Sequence, residues 1–594
     1  MGDAAEELDD PIDKEIDTGS KIENDSDADL SNGGQRFKAM QQRRQALRRQ
    51  HMRVFAISFS FLLAVTGILW MWTAYLSAGP QTSPAVLLLP LDSRPVNTEL
   101  PQQLAAIAGI RVVLPEQEAL DQFLISSKEQ ALFSWLTERD KEAYGLSIIH
   151  VNSLLFGGLL HSREALQYQD ANRKLRAMHE YLLSRERASG NTLVLVYILP
   201  RLLPSQYDAE MWVYEKELPE LSQLRHRQEL ALGDSKDAAR ILELESSIPR
   251  EIRQRYETVY AEAFNTGRSL LDWLDSGLAD EVVIGLDDSA EYGLNVKAFQ
   301  DLQSTAAGRN QQQAYFLHGA DELSPLIIAR HSLAYDRNDE SFVLRYLSEG
   351  WEDVILPYEA IPLKDNFQEK TAYLFADKPG EATRGDSGAY ASKGIAKYIY
   401  LFSDQEATSE QMKVQWDTIR KDKARPSGAY VGLADIAKTN GAWVPFIQSV
   451  GPDRVYQYVD AYAGWNTAGN SLGAVMAQLL YWESARALSG PQRREAAVLQ
   501  ANLQKLRLID DYFFQSVVRQ EFIDWAAKEG FNYLAFGSRW MEANDKLQEM
   551  METALAPWPK LAPALPPSQR GEAAWQFRFP WPRSFEIRID IREP

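Results

Sequence analysis

Residues 85–97 read Ala-Val-Leu-Leu-Leu-Pro-Leu-Asp-Ser-Arg-Pro-Val-Asn, an apolar run followed by a charged turn. A short continuous apolar run bounded by turn residues predicts a strand buried on both faces, as in parallel sheets. The unit recurs: apolar runs at 85–91, 111–114, 146–151, 192–199, 281–286, 314–317, 341–347 and 397–402 alternate with stretches of helical period such as 164–188 and 251–276. Strand-helix-strand repetition predicts an α/β fold, with helices covering a parallel sheet that is either open and doubly wound or barrel-like. From Tyr430 the pattern turns helical, over 431–440, 470–487 and 492–529, and the chain ends in a Pro-rich tail with alternating strand-like runs at 575–579 and 585–591.

Charge is unevenly placed along the 594 residues, whose 63 Lys and Arg against 83 Asp and Glu leave a net −20. Residues 1–35 carry twelve acids and two lysines with almost no aromatic residue, a composition that cannot offset its ordering entropy and predicts a disordered tail. Residues 36–53 carry seven Lys or Arg and no acid, and residues 54–78 are without charge. A helix of that length crosses a hydrocarbon core roughly 30 Å thick, so 54–78 is expected to span the membrane. The basic flank puts the N-terminus in the cytoplasm, against anionic lipid, and the bulk of the chain outside. A cleaved signal peptide fits less well, because the apolar span is long and Leu76-Ser77-Ala78 places a large residue where a small one is preferred.

The expected order is therefore an acidic cytoplasmic tail 1–35, a basic juxtamembrane segment 36–53, a transmembrane helix 54–78, an extracytoplasmic α/β domain 79–429, a mainly helical region 430–557 and a tail 558–594. The part beyond residue 78 keeps a net −17, which argues against nucleic acid as a partner. With no cysteine, disulfides, thiolate zinc sites and cysteine nucleophiles are excluded. The 15 Trp and 25 Tyr suit a core, and also a sugar cleft that needs flat rings with polar edges.

In parallel α/β sheets ligands bind beyond the carboxyl ends of the strands. The first run ends in Asp92, Arg94 and Asn97, the third in Asn152, the fifth in Asp287-Asp288 and the sixth in Asp321-Glu322. A lone Asp at such a place also serves as a helix N-cap, so Asp92 and Asp321 have a purely structural reading. The adjacent pair is harder to explain that way, since only one can cap and neighbouring anions repel. In substrate-assisted hydrolysis of N-acetylated sugars one such carboxylate orients the acetamido group and the next protonates the leaving oxygen. Alternatively Asp92, Asp287 and Asp321 could hold a divalent metal as hard oxygen ligands. A second constellation, Ala461 to Gly473, offers Trp465 to stack on a ring face and Asn466 and Asn470 as amides for hydroxyls, or simply a tight packed turn. Phosphate-loop, dinucleotide-binding, zincin and nucleophile-elbow motifs are all missing, so no cofactor and no metal are assigned.

The motifs Pro-Leu-Asp-Ser-Arg-Pro-Val-Asn, Phe-Gly-Gly-Leu-Leu-His-Ser-Arg ending at Arg163, Asp287-Asp288, Gly-Ala-Asp-Glu at 319–322 and Ala-Gly-Trp-Asn-Thr-Ala-Gly-Asn together resemble a bacterial family of unknown function, DUF4127, from about residue 85 to 525. The resemblance implies no activity. The family's first motif usually holds two Asp where this chain has Asp92 and Ser93, and an Asp where it has Asn152. Both departures remove carboxylates and weaken a metal cluster there.

The reading that follows is a membrane-anchored, extracytoplasmic, glycoside hydrolase-like enzyme acting on an envelope or exopolysaccharide glycan. Asp287 and Asp288 form its catalytic pair; Asp92, Arg94, Asn97, Asn152, Asp321, Glu322, Trp465, Asn466 and Asn470 bind substrate. The alternatives are a non-catalytic glycan- or partner-binding envelope protein and a metal-dependent hydrolase.

Overall fold

In the computed structural model, the residues described are 85–592 without 187, 334, 336–341, 377–394, 427 and 566–571. All eight apolar runs are strands. The first six, β1 (Ala85–Leu89), β2 (Arg111–Val113), β3 (Leu146–His150), β4 (Thr192–Leu199), β5 (Glu281–Leu286) and β6 (Ala314–His318), form one parallel sheet in the order β2-β1-β3-β4-β5-β6. The register sets Leu88 beside Ile148, Ile149 beside Leu195, and Val196 beside Val283. Period-two alternation then sorts these side chains into two layers. Val86, Leu88, Val194, Val196 and Ile198 enter one core, while Leu87, Leu89, Leu193, Leu195 and Tyr197 enter the other against the Arg250–Asp275 helix. Each fully buried Leu or Val contributes about 1.5–3 kcal/mol relative to exposure, so neither face can be turned to water cheaply.

There are two parallel sheets rather than one. β7 (Phe342–Tyr346), β8 (Lys397–Phe402), β9 (Tyr430–Asp435) and β10 (Ala461–Ala463) form a second, in the order β10-β9-β8-β7. The helix expected over 431–440 is therefore strand β9 and the loop after it, and the sheet runs across the expected boundary at residue 430. Tyr-Val-Gly-Leu-Ala-Asp is too short for periodicity to separate helix from strand. Pairing with β8 on one side and β10 on the other decides it, and Gly432 lets the chain approach Val475, whose Cγ1 would lie 2.3 Å from an added Cβ.

The Ala468–Ser484 helix joins the two sheets. Apolar almost all round and nearly wholly buried, it packs on β9 and β10 and on the helices Glu99–Ile107, Leu323–Ser332 and Leu363–Phe375. One continuous core thus takes Leu88 and Val196 from the first sheet, Leu472, Val475 and Leu479 from this helix, and Ile399, Leu401 and Ala461 from the second sheet. Helices then dominate as expected, including Gly490–Leu508, a π-helical stretch Ile509–Val518 and Arg519–Lys528. The tail closes as an antiparallel hairpin of β11 (Ala574–Arg578) and β12 (Arg588–Arg592), with Trp575, Phe577 and Ile589 turned inward.

The acidic tail, the basic segment and the span expected at 54–78 lie outside the described residues. Among those described, no helix is long and apolar enough to cross a membrane.

Candidate functional site

The carboxyl ends of both sheets open on one cleft of about 540 Å³. In the first sheet the connection from β1 runs to β2 on one side while β3 lies on the other, and such a reversal leaves a crevice at the strand ends. Arg94 arrives there after β1, Leu159 and Arg163 after β3, and Arg201 after β4. Asp287 and Asp288 follow β5 and Asp321 follows β6. The second sheet supplies Lys438, Thr439 and Asn440 beyond β9 and Asn466 beyond β10. Gln515 and Ser516 come from the π-helical stretch, and Arg583 and Phe585 from the hairpin loop.

Backbone strain concentrates here. Tyr358, Asn440 and Asn466, three cleft residues that are not glycine, hold φ of 68°, 57° and 73°. Such conformations cost of order 1–3 kcal/mol and persist only where surrounding contacts enforce them. For Asn466 those contacts are visible: its backbone carbonyl accepts from Asn440 N at 3.1 Å and its Nδ2 donates to Asp321 Oδ2 at 2.6 Å.

Asp92, Arg94, Asn97 and Asp321 form a closed lattice behind that bond. Arg94 Nε donates to Asp92 Oδ2 at 2.8 Å and its Nη2 to Asp321 Oδ1 at 2.7 Å. Asn97 Nδ2 bridges Asp92 Oδ1 at 2.9 Å and Asp321 Oδ1 at 3.0 Å. Burial pushes the Asp321 carboxyl up, and Arg94 offsets only part of this. Neither Asp caps a helix through its side chain; the caps are Thr98 and Glu322. The Arg94 guanidinium occupies the place between Asp92 and Asp321 that a bridging metal would take. Asp287 is held elsewhere by Arg163, so the donor set does not fit a metal shared by these three aspartates. Among the described residues no group of three or more His, Asp or Glu is placed to hold one.

The adjacent pair after β5 is split by its surroundings. Asp287 is paired with Arg163, and both side chains are 7% exposed. Burial alone would push Asp287 up, but Arg163 and then Arg201 outweigh it and hold the carboxyl below its usual value. Asp288, 21% exposed, has only Arg201, at 3.5 Å, as an ion-pair partner among the described residues, and burial followed by the Asp287 charge pushes it up to about 6. Arg201 is itself pushed down to about 10, by burial and then by Arg163. One carboxyl is thus kept as an anion while its neighbour keeps its proton up to about pH 6, the kind of separation that divides acid from base between paired carboxyls.

Of the residues expected at the site, Arg94, Asp287, Asp288, Asp321 and Asn466 line the cleft. Asp92 and Asn97 stand behind them in the lattice. Four others are occupied elsewhere. Asn152 donates to Ile198 O and accepts from Ile198 N, each at 2.8 Å, fastening β4. Glu322 is buried on Lys370 at 3.1 Å, and Asn470 accepts from Ala320 N and Asp321 N at 3.3 and 3.2 Å. Trp465 is buried edge-to-face against Phe585 and offers no ring to the cleft. A small neighbourhood and a polar tip suggested a sugar platform; the core claimed the ring instead.

Arg201 follows β4 directly and was open to the same strand-end rule that found Asp287. Arg519, Arg583 and Asp121 carried no such signal. Asp121, pushed well above its usual value first by burial and then by Asp92, accepts from Ser93 N at 2.8 Å. Trp581 in the hairpin loop donates to Ser93 Oγ at 2.9 Å, which seats Arg583 over the cleft with its partner Glu586 at 2.6 Å.

Fold and site together define an α/β protein with two parallel sheets and a charged cleft at their shared carboxyl edge. The chain belongs to the family described as "Protein of unknown function (DUF4127)", whose model matches residues 86–590. The match extends past the motifs that carry the resemblance and takes in the hairpin that walls the cleft. No curated protein and no solved structure matches the chain.

Proposed function

We propose that the cleft is the active site of a glycoside hydrolase-like enzyme, anchored through residues 54–78 with its bulk outside the membrane and acting on an envelope or exopolysaccharide glycan. The observation that carries this reading is the unequal pairing of the adjacent Asp287 and Asp288 at the end of β5, the first held low by its ion pair with Arg163 and the second, with only a long contact to Arg201, pushed up to about 6. Asp288 gives its proton to the leaving glycosidic oxygen as the nucleophile bonds the anomeric carbon; water then displaces that nucleophile, its oxygen staying on the anomeric carbon and its proton returning to Asp288. Asp287 stays anionic and orients the substrate. The third cleft carboxylate, Asp321, is tied to Arg94, Asn97 and Asn466, so none is left over as a protein nucleophile. That favours attack by an acetamido group of the sugar itself, with Asp287 polarising it.

The same tethering favours a second reading, in which the cleft binds glycan without turnover. Release of reducing ends from purified wall or capsule separates the two. Asp288→Asn is expected to lower turnover by at least 100-fold, as removal of a positioned general acid does. With the parent enzyme, activity should fall about tenfold per pH unit above about pH 6, where Asp288 loses its proton. Turnover unchanged in Asp288→Asn, or level from pH 5 to 8, would refute the assignment; sugar bound but never cleaved by the parent would establish the second reading.

A further inference from the structure

Six cationic side chains line the cleft, Arg94, Arg163, Arg201, Lys438, Arg519 and Arg583, against three carboxylates, in a protein whose net charge is −20. Three of the six are neutralised in place. Arg94 sits on Asp92 and Asp321, Arg163 on Asp287, and Arg583 on Glu586 with both branches of its fork. Lys438 is exposed and makes no ion pair among the described residues. Arg201 and Arg519 are different, because both are half-buried yet under-compensated.

Arg201 spends Nε on the Leu203 carbonyl at 3.3 Å and, among the described residues, has only the long 3.5 Å contact to Asp288 as an ion pair. Arg519 donates Nε to Ser584 O at 2.7 Å and Nη1 to Gln515 Oε1 at 3.3 Å, lies over the Phe585 ring at 4.6 Å, and has no carboxylate within 4.0 Å among the described residues. Nη2 of each makes no hydrogen bond among those residues. Each also stands next to a second arginine: burial and then Arg163 weaken the hold of Arg201 on its proton, while for Arg519 burial and Arg583 together outweigh the more distant Glu586. Packing holds two guanidinium groups at the cleft with donors unspent and like charge beside them. A buried charge left this way costs free energy unless a partner of opposite sign arrives. A planar guanidinium presents paired N–H donors whose spacing matches two oxygens of one anion.

We propose that the ligand of this cleft is acidic, and that Arg201 and Arg519 receive its negatively charged oxygens, as the carboxylate of a uronic acid or the phosphate of a phosphorylated sugar. This deepens the glycan reading and rests on the cleft being the ligand site. It does not rest on catalysis. The net negative charge of the whole chain repels such a ligand at long range, so selection falls to the local field of the cleft.

The test is titration calorimetry on the full chain in detergent, with glucuronate, inorganic phosphate and glucose as probes. Glucuronate or phosphate is expected to bind at least tenfold more tightly than glucose, and to weaken as salt rises from 0.05 to 0.5 M. Arg201→Gln and Arg519→Gln should each weaken that binding about tenfold or more, and the charge-keeping Arg201→Lys and Arg519→Lys should weaken it less. Preference for one probe identifies the source of the anion. Asp288→Asn removes the carboxylate facing Arg201 and should bind the anions at least as tightly as the parent while its turnover falls at least 100-fold, so failure here and failure of the hydrolase reading are told apart. Glucose bound as tightly as both anions, or both Gln variants folded and binding like the parent, would overturn the proposal.

Discussion

Arg163→Gln isolates the charge pair on which the site depends. It removes the guanidinium beside Asp287 while leaving that carboxylate 7% exposed, with Arg201 as its remaining cation. Breaking a buried ion pair from one side costs about 3–5 kcal/mol, because the surviving charge is stranded. Arg201 still shields Asp287, so the low end, about 3 kcal/mol, is expected at pH 7. The pH dependence gives the sign. In the parent, Asp287 is held below its usual value, so its contribution is present above about pH 4 and is lost as pH falls through the folded-state value. In the variant burial is left to win and the carboxyl moves up, so the deficit is greatest near neutrality and shrinks toward pH 4. Urea unfolding from pH 4 to 8 measures it, and the double variant Arg163→Gln/Asp287→Asn should recover most of the loss. A deficit below about 1 kcal/mol at pH 7, or a double variant no more stable than the single, would refute the reasoning.

Two further outcomes test the scaffold beneath the cleft. Gly473→Ala should destabilise by about 1–3 kcal/mol, although alanine is the better helix former by about 1 kcal/mol, because its Cβ would meet Glu322 Cγ at 2.3 Å and Lys370 Cε at 3.0 Å. A higher midpoint in urea would show that the neighbours yield. Glu359, buried where its Oε1 accepts Gly469 N at 2.6 Å, is pushed up to about 7 first by burial. Its raised value means that stability is full below the unfolded-state value near 4.5 and is lost as pH rises toward 7. Glu359→Gln should cancel about 3 kcal/mol of that slope, and parallel stability curves for the two proteins between pH 4.5 and 7 would exclude the assignment.

The strands were legible because their signal is local. Val86 to Leu89 and Val282 to Leu286 read as strand because each is a short apolar run closed by turn residues and set between longer stretches of helical period, whichever neighbour it pairs with. Asp287-Asp288 stood out for a related reason, since a strand end fixes where its loop begins. Trp465 and Asn152 show the limit: whether an aromatic ring or an amide meets ligand, core or backbone depends on atoms that arrive from elsewhere in the chain. The segment after Tyr430 failed for want of length, six residues being too few to separate the two periods, and only pairing with β8 and β10 settled it.

By itself, then, the amino-acid order determined the parallel α/β class, ten of its strands and the position of the carboxylates after β5, since each follows from apolar patterning over a few consecutive residues. Tertiary structure alone decided that there are two sheets sharing one cleft, that Arg163 and Arg201 divide Asp287 from Asp288, and that a hairpin loop near residue 583 roofs a site begun at residue 92. Those outcomes are set by contacts between residues hundreds of positions apart, where burial and charge are summed over the whole fold and leave no periodic trace in any one segment.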